Sequence, residues 1–221
     1  MKLTRFLPCL LSLLVVPVAH ATISFEIDAD LLSNSSNVGI PDGSAVFLVV
    51  NKDNSGFSLP TAGTYGVGSA WGASNQNFVA ETYSANGVAN GDSTTAGAVS
   101  FITNSYPYST VSGMAAGQHL GLFWFSTDSY NASTITLHGG DTFGYFDFNS
   151  ITGSDASSWI TPADGSSGIG FAIQTPNAVS FGAGNDVVTY GTIAVPEPST
   201  FGLLGGVSAL AFAFYRRRRV V

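Results

Sequence analysis

Apolar and polar residues alternate with a period of two near the start of the chain, from residue 23 to residue 31. Successive side chains of a strand point to opposite faces, so this alternation predicts a half-buried strand with Ile23, Phe25 and Ile27 on its inner face. Residues 45–50 form instead a continuous apolar run that is short and rich in β-branched side chains. Such a run predicts a central strand that is buried on both faces.

Short apolar or alternating runs continue along the chain, separated by the Gly, Asn, Asp, Ser and Pro residues that favour turns. Seven further runs are found, at 77–83, 98–103, 120–126, 134–138, 143–148, 169–174 and 187–194. No convincing helical pattern of ten or more residues lies between them. The sequence therefore predicts an all-β fold, an antiparallel β-sandwich of jelly-roll-like type.

The first 21 residues have the pattern of a secretory signal peptide. Two basic residues precede an apolar segment at 6–18, and Ala19-His20-Ala21 is a small-x-small sequence of the kind that signal peptidase cleaves. The alternative is an uncleaved signal anchor, but the apolar segment is short and is interrupted by Pro8 and Pro17. We therefore expect export through the Sec machinery and cleavage after Ala21.

The C-terminus combines a Pro-rich segment, an apolar segment and a basic cluster. Residues 201–215 contain no charge, and residues 198–200 extend them towards the about 20 residues that a membrane-spanning helix needs. Four arginines follow, and positive flanks resist translocation across the membrane. We therefore expect a C-terminal transmembrane helix with the arginines in the cytoplasm. The three parts are Val195-Pro196-Glu197-Pro198, the apolar segment, and Arg216, Arg217, Arg218 and Arg219.

This order of parts resembles the PEP-CTERM sorting signal over residues 195–219. The resemblance implies a protein that a Gram-negative bacterium exports, holds transiently in its inner membrane, and delivers to the cell surface or extracellular matrix after cleavage by an exosortase. Pro196, Glu197 and Pro198 are then recognition residues, and the cysteine protease chemistry belongs to the exosortase. An ordinary tail anchor is the alternative. Related tails are also labelled ice-binding protein C-terminal domains, a label that describes the tail and not the body.

The predicted domains are a signal peptide at 1–21, a secreted β domain at 22–194 and a sorting signal at 195–221. Six of the seven basic residues lie in the two ends, so Lys52 alone opposes 13 of the 14 acidic residues, and the body is strongly acidic. Binding to nucleic acid is excluded, because phosphate contacts need Lys and Arg. The single cysteine, Cys9, lies in the signal peptide, so the mature body has neither a disulfide nor a thiol nucleophile.

Calcium is the one cofactor for which the sequence offers candidates, and both are weak. Asn51, Asp53 and Ser55 place oxygen atoms at alternate positions, but Ala62 occupies the twelfth position, where a calcium loop needs a bidentate carboxylate. Asp186 lies in a single copy of a sequence resembling a calcium-binding nonapeptide, whose ligands are normally shared between stacked repeats. Two ordinary turns are the alternative, and we predict no cofactor.

Signals for catalysis are sparse, because the sequence has no G-x-S-x-G, H-E-x-x-H or phosphate-binding loop. His138 and Asp141 could form half of a metal or acid/base site, but metal sites usually need three or four ligands. His119 lies on a different predicted strand. We therefore predict a protein that is not an enzyme. A secreted glycan-active enzyme stays as an alternative, since paired carboxylates meet only in the fold.

Three aromatic residues are candidates for contact with a glycan. Tyr106 and Tyr108 lie in a predicted loop, and Trp159 lies between polar turns. Exposed rings can stack on sugar faces, and the alternative is that Trp159 fills the core. We predict a structural or adhesive protein, with a carbohydrate-binding module for matrix polysaccharide as the alternative.

Overall fold

The structure is a computed structural model of the chain. It describes residues 22–29, 32–36, 38–85, 88–89, 93–94, 99–108, 111–131, 134–147, 159–163, 166, 169–173, 188–195, 206–210 and 212. The predicted signal peptide and most of the predicted sorting signal lie outside these residues.

Thirteen strands form within the described residues. They are Thr22–Ala29 (β1), Ser44–Asn51 (β2), Gly63–Tyr65 (β3), Ala70–Trp71 (β4), Ser74–Ser84 (β5), Val88–Ala89 (β6), Ser93–Thr94 (β7), Val99–Pro107 (β8), His119–Ser129 (β9), Ile135–Leu137 (β10), Thr142–Asp147 (β11), Ile169–Ile173 (β12) and Thr189–Thr192 (β13). Each of the nine predicted runs overlaps one of these strands. The sequence did not predict the short strands β3, β4, β6 and β7, because no apolar or alternating run was recognised at their residues.

The largest sheet has six antiparallel strands in the order β13-β11-β9-β2-β5-β4. Strand β2 lies between β9 and β5, and all eight of its residues are buried, as its continuous apolar run predicted. A smaller sheet has the order β12-β1-β8, in which β1 is antiparallel to β8 but parallel to β12. The described part of the chain is therefore mostly antiparallel and curls into a half-barrel.

Apolar side chains cover both faces of the six-stranded sheet. On one face, alternate residues of β2 and β9 share a buried cluster with Ile23 and Ile27 of β1. On the other face, the intervening residues of the same two strands share a cluster with β3 and β10. Trp71 lies at the centre of this second cluster, with its ring centroid 5.0 Å from those of Phe47 and Tyr65. The sheet is thus an interior layer, and burial of its large side chains contributes about 1.5–3 kcal/mol each to folding.

One carboxyl group of the six-stranded sheet is about half buried. Burial raises the pKa of Glu81, because the charged form loses hydration, and a hydrogen bond that the Thr82 N–H donates to Oε1 at 3.1 Å partly opposes this effect. The folded state therefore holds the proton more strongly than the unfolded chain does. The stability that follows is present below the unfolded pKa and is lost as the pH rises through the folded pKa.

We expect Glu81→Gln to raise the free energy of unfolding at neutral pH by up to about 1 kcal/mol, since glutamine keeps the acceptor oxygen and carries no charge. At a pH well below the ordinary range of a glutamate, Glu81 is protonated in both states and the difference should vanish. Urea unfolding of both proteins at the two pH values measures it. An equal difference at both pH values would show that burial of the charge is not its cause.

Candidate functional site

The chain leaves the fold at the edge of the six-stranded sheet. Strand β13 pairs with β11, and Ile193 follows it as a buried residue. The Ile193 N–H donates to the Asp141 carbonyl at 2.8 Å, and the Ile193 carbonyl accepts from the Gly140 N–H at 2.9 Å. Ala194 and Val195 are exposed. The β domain therefore holds the chain up to Ile193.

A helical segment lies further along the tail, at residues 206–210 and 212. Its apolar side chains are exposed, with accessible fractions of 60% for Val207, 59% for Leu210 and 67% for Phe212. Apolar surface of this kind is more stable in an apolar environment than in water. In the part of the chain that the structure describes, no helix is long and apolar enough to cross a membrane.

A family model for the PEP-CTERM protein-sorting motif matches residues 194–219. The chain carries a PEP-CTERM sorting motif. The PEP-CTERM motif begins directly after Ile193, the last buried residue of the β domain. No curated protein and no solved structure matches the chain.

The PEP-CTERM motif implies export and sorting to the bacterial cell surface, and an exosortase is the partner that recognises it. Of the four residues Val195-Pro196-Glu197-Pro198, the structure describes Val195, which is 58% exposed. Pro196, Glu197, Pro198 and the four arginines at 216–219 lie outside the described residues. So do Ala19 and Ala21 of the predicted signal cleavage site, although β1 begins directly after them, at Thr22.

The first calcium candidate forms a hydrogen-bonded turn after β2. Asn51 is buried, and its side chain accepts from the Asp53 N–H at 3.2 Å and donates to the Gly56 carbonyl at 2.5 Å. Asp53 accepts from the hydroxyl and the N–H of Ser55, at 2.6 and 3.1 Å, and these hydrogen bonds lower the pKa of Asp53. The oxygen atoms that suggested calcium therefore stabilise the turn itself. Asn54 adopts a left-handed conformation in this turn, with φ 57°.

No group of three or more metal-ligating side chains is found among the described residues. Asp186, the second calcium candidate, lies outside them. His138 and Asp141 are brought together at a turn, with Nδ1 3.6 Å from the Asp141 carboxylate, and the same carboxylate accepts from the His138 N–H. His119 lies on β9, where burial lowers its pKa and Asp147 partly offsets that effect.

The turn after β2 is joined to the segment that precedes β9. The Asn54 side chain donates to the Gly117 carbonyl at 3.1 Å and accepts from the His119 N–H at 2.7 Å. Lys52 donates to the Ser112 carbonyl, and its Nζ lies 3.5 Å from the centroid of the Phe78 ring. The basic residue of the predicted mature body therefore connects two loops.

The prediction that Trp159 contacts a glycan is wrong. Trp159 is 1% exposed, and its ring packs edge-to-face against Phe146 with the centroids 4.9 Å apart. Its carbonyl accepts from the Leu120 N–H at 3.0 Å, which aligns the segment with β9 and turns the indole into the core. The alternative reading of Trp159 as a core residue is confirmed.

Tyr106 does not lie in the predicted loop, whereas Tyr108 directly follows β8. Tyr106 belongs to β8, opposite Ile23, and its side chain is outside the described part of the structure. Tyr108 is half-buried against the cluster that contains Trp159, and its hydroxyl donates to the Pro162 carbonyl. The predicted glycan-contact residues therefore do not form an exposed aromatic platform within the described structure.

The structure contains a pocket that the sequence did not predict, between residues 33–35 and 40 on one side and strands β9, β11 and β13 on the other. Its volume is about 170 Å³. Two pairs of hydroxyl groups lie on its walls: Ser33 Oγ is 2.7 Å from the Tyr190 hydroxyl, and Ser126 Oγ is 3.0 Å from Thr142 Oγ1. The Trp124 ring contributes to the lining, and its Nε1–H donates to the Ser33 carbonyl at 2.8 Å. We call this site the hydroxyl pocket.

Gly144 and Gly191, which both line the hydroxyl pocket, leave space for neighbouring aromatic rings. A Cβ atom on Gly144 would lie 2.4 Å from the Trp124 ring, and one on Gly191 would lie 2.5 Å from the Phe143 ring. No local sequence signal marks this pocket, because its hydroxyl groups come from segments far apart in the chain. The closest signal is the presence of glycine in strands that otherwise carry large side chains, which often marks a close approach.

Proposed function

We propose that this chain is a non-enzymatic, exported β-domain protein that acts as a structural or adhesive component of the cell surface or extracellular matrix of a Gram-negative bacterium. The observation that carries this proposal is the PEP-CTERM match at residues 194–219, directly after the last strand of the fold. The signal-peptide pattern at 1–21 supplies the entry into the Sec pathway. The apolar tail then holds the protein in the inner membrane until the exosortase acts.

The properties of the β domain are consistent with an extracellular location. Burial of apolar side chains on both faces of the six-stranded sheet stabilises a domain that has no cysteine after residue 9. The large excess of acidic over basic residues favours solubility. We further propose that the six-stranded sheet and β12-β1-β8 form a jelly-roll-like β-sandwich, since Ile23 and Ile27 share a cluster with one face of the larger sheet.

Deletion of residues 196–221 should change the location of the protein in a host that has an exosortase. This truncation keeps Ile193 and all the strands from β1 to β13, so the β domain should still fold. We expect the full chain at the cell surface or in the medium and the truncated chain in the periplasm, because the truncation removes the recognition motif and the membrane anchor. Fractionation and immunoblotting measure the location.

The control for this truncation is Thr136→Val, a change of the body that leaves the tail intact. It should fractionate like the natural protein. Intact mass measurement of the extracellular form reports both cleavages and any attached group. If the truncated chain and the full chain fractionate identically, the sorting proposal fails.

Carbohydrate binding is the second candidate function, and the hydroxyl pocket is the observation that favours it. This pocket replaces Trp159 as the proposed contact site, because Trp159 is buried. Matrix polysaccharide would be the ligand of such a protein.

A further inference from the structure

We propose that the hydroxyl pocket binds one neutral sugar ring. This inference rests on the second candidate function and names its site and its class of ligand. It is independent of sorting, because sorting depends on the tail and the pocket belongs to the β domain.

The hydroxyl groups on the walls of the pocket match those of a sugar. Each hydroxyl offers one donor and two acceptor lone pairs. The Ser33–Tyr190 pair and the Ser126–Thr142 pair each use one of their two donors in the contact between them. Each pair can therefore still donate to and accept from a ligand. Sugar hydroxyls also both donate and accept, so they can satisfy these groups in either direction.

The absence of charged side chains among the described lining residues of the pocket favours a neutral ligand. A phosphate or carboxylate bound there would lose hydration without gaining a cationic partner. A cation would lose hydration without gaining a carboxylate. Each case costs several kcal/mol of binding free energy. The acidic body as a whole also repels anions.

The size of the pocket selects a single ring. A volume of about 170 Å³ is smaller than the about 300–1,000 Å³ of pockets for drug-sized ligands. The lining also includes Tyr190, whose ring offers an apolar surface to the C–H groups of a sugar ring. A site of this kind would accept one unit of a glycan, such as its end.

The loop wall of the pocket is preformed. Ser33 forms a β-bridge with Gly39, and the Ile40 N–H donates to the Leu32 carbonyl at 2.9 Å. The Asn34 side-chain oxygen accepts from the N–H groups of Ser36 and Val38, at 3.0 and 3.1 Å. A preformed wall lowers the entropy cost of binding. This reduction matters most for a small ligand, because a small ligand makes few contacts that could offset the cost.

The test is a binding measurement on the full-length chain in a detergent without a sugar headgroup. The probes are free glucose, galactose, mannose and N-acetylglucosamine, with glucuronic acid and inorganic phosphate as charged probes. Ligand-observed NMR detects binding and calorimetry measures the Kd. We expect at least one neutral sugar to bind with a Kd on the order of 1 mM and the charged probes to bind more weakly.

Two variants and one matched control assign the binding to the pocket. Tyr190→Phe and Thr142→Val each remove one hydroxyl and keep the shape of the side chain, so we expect each to raise the Kd by about 3- to 10-fold. Thr136→Val removes a hydroxyl from a similar pair, Thr64–Thr136 at 3.0 Å, which is exposed and outside the pocket. It should leave the Kd unchanged. Circular dichroism confirms that each variant is folded.

Three results would overturn the proposal: no neutral sugar binds, a charged probe binds more tightly than every neutral one, or both folded pocket variants bind as the natural protein does. None of these results would affect the location of the full chain and of the chain without residues 196–221. Failure of the pocket and failure of the sorting proposal are therefore distinguishable.

Discussion

Replacement of Gly144 by alanine is expected to lower the free energy of unfolding by about 3 kcal/mol, at the upper end of the usual cost of overpacking. Gly144 lies opposite Trp124 in the pairing of β11 with β9, and its added Cβ would lie 2.4–2.5 Å from three atoms of the indole. The indole cannot simply move away, because it is 1% exposed and its Nε1–H is bonded to the Ser33 carbonyl. Urea unfolding measures the loss.

Gly117→Ala serves as a comparison, because it measures the cost of placing alanine in a left-handed backbone conformation without a close contact of its Cβ atom. Gly117 has φ 81° and open space around its Cβ position, so alanine there should cost only the about 1–2 kcal/mol of a left-handed residue. A second comparison places Gly144→Ala in a Trp124→Leu background, where the smaller side chain leaves room for the methyl group. The two changes should then be strongly non-additive. Additive costs would mean that the indole contact does not explain the effect of Gly144→Ala.

Strands were predictable wherever the chain carries a recognisable apolar or alternating run. Residues 45–50 are an example, because a continuous apolar run has only one environment that suits it, a central strand with both faces covered. The parallel pairing of β1 with β12 was not predictable, and it is an exception within a mostly antiparallel fold. These two strands are nearly the whole β domain apart in sequence, and a parallel pair needs a long connection that no local pattern records.

The candidate sites were predictable only where the chemistry is local in sequence. The sorting motif is continuous, so the order of its residues is enough to identify it. The hydroxyl pocket joins Ser33 to Tyr190, and no spacing rule connects them. Trp159 shows that local sequence can also suggest a site that the fold does not form. Polar neighbours suggested a loop, but alignment of this segment with Leu120 of β9 turned the ring inward.

The turn at residues 51–56 shows that one sequence pattern suits two different structures. Alternate oxygen side chains before a glycine suit both a cation and a turn that satisfies its own N–H groups. The sequence favoured the turn, because no carboxylate stands at the twelfth position. The structure also shows what the side chains of Lys52 and Asn54 do in this turn. They donate hydrogen bonds to the segment before β9 and so join it to the turn.

Trp124→Phe is expected to cost about 1–3 kcal/mol more than Trp71→Phe, although both changes remove the same atoms from fully buried positions. Trp124 donates to the Ser33 carbonyl at 2.8 Å, so its loss leaves a buried acceptor without its donor. Trp71 Nε1 has no hydrogen-bond partner among the described residues. Removal of that unsatisfied donor partly offsets the cavity that the smaller ring leaves.

Both changes remove the same atoms from buried positions, so the difference between them reports the hydrogen-bonded N–H of Trp124 against the unsatisfied N–H of Trp71. Urea unfolding with an unchanged m-value measures both free energies. Thermal unfolding should place Trp124→Phe below Trp71→Phe by several degrees, since about 1 kcal/mol shifts the Tm of a domain of this size by about 2–4 °C. If Trp71→Phe proves the more destabilising change, packing around Trp71 outweighs the hydrogen bond of Trp124. The link between Ser33 and Trp124 of β9 would then be weaker than its geometry implies.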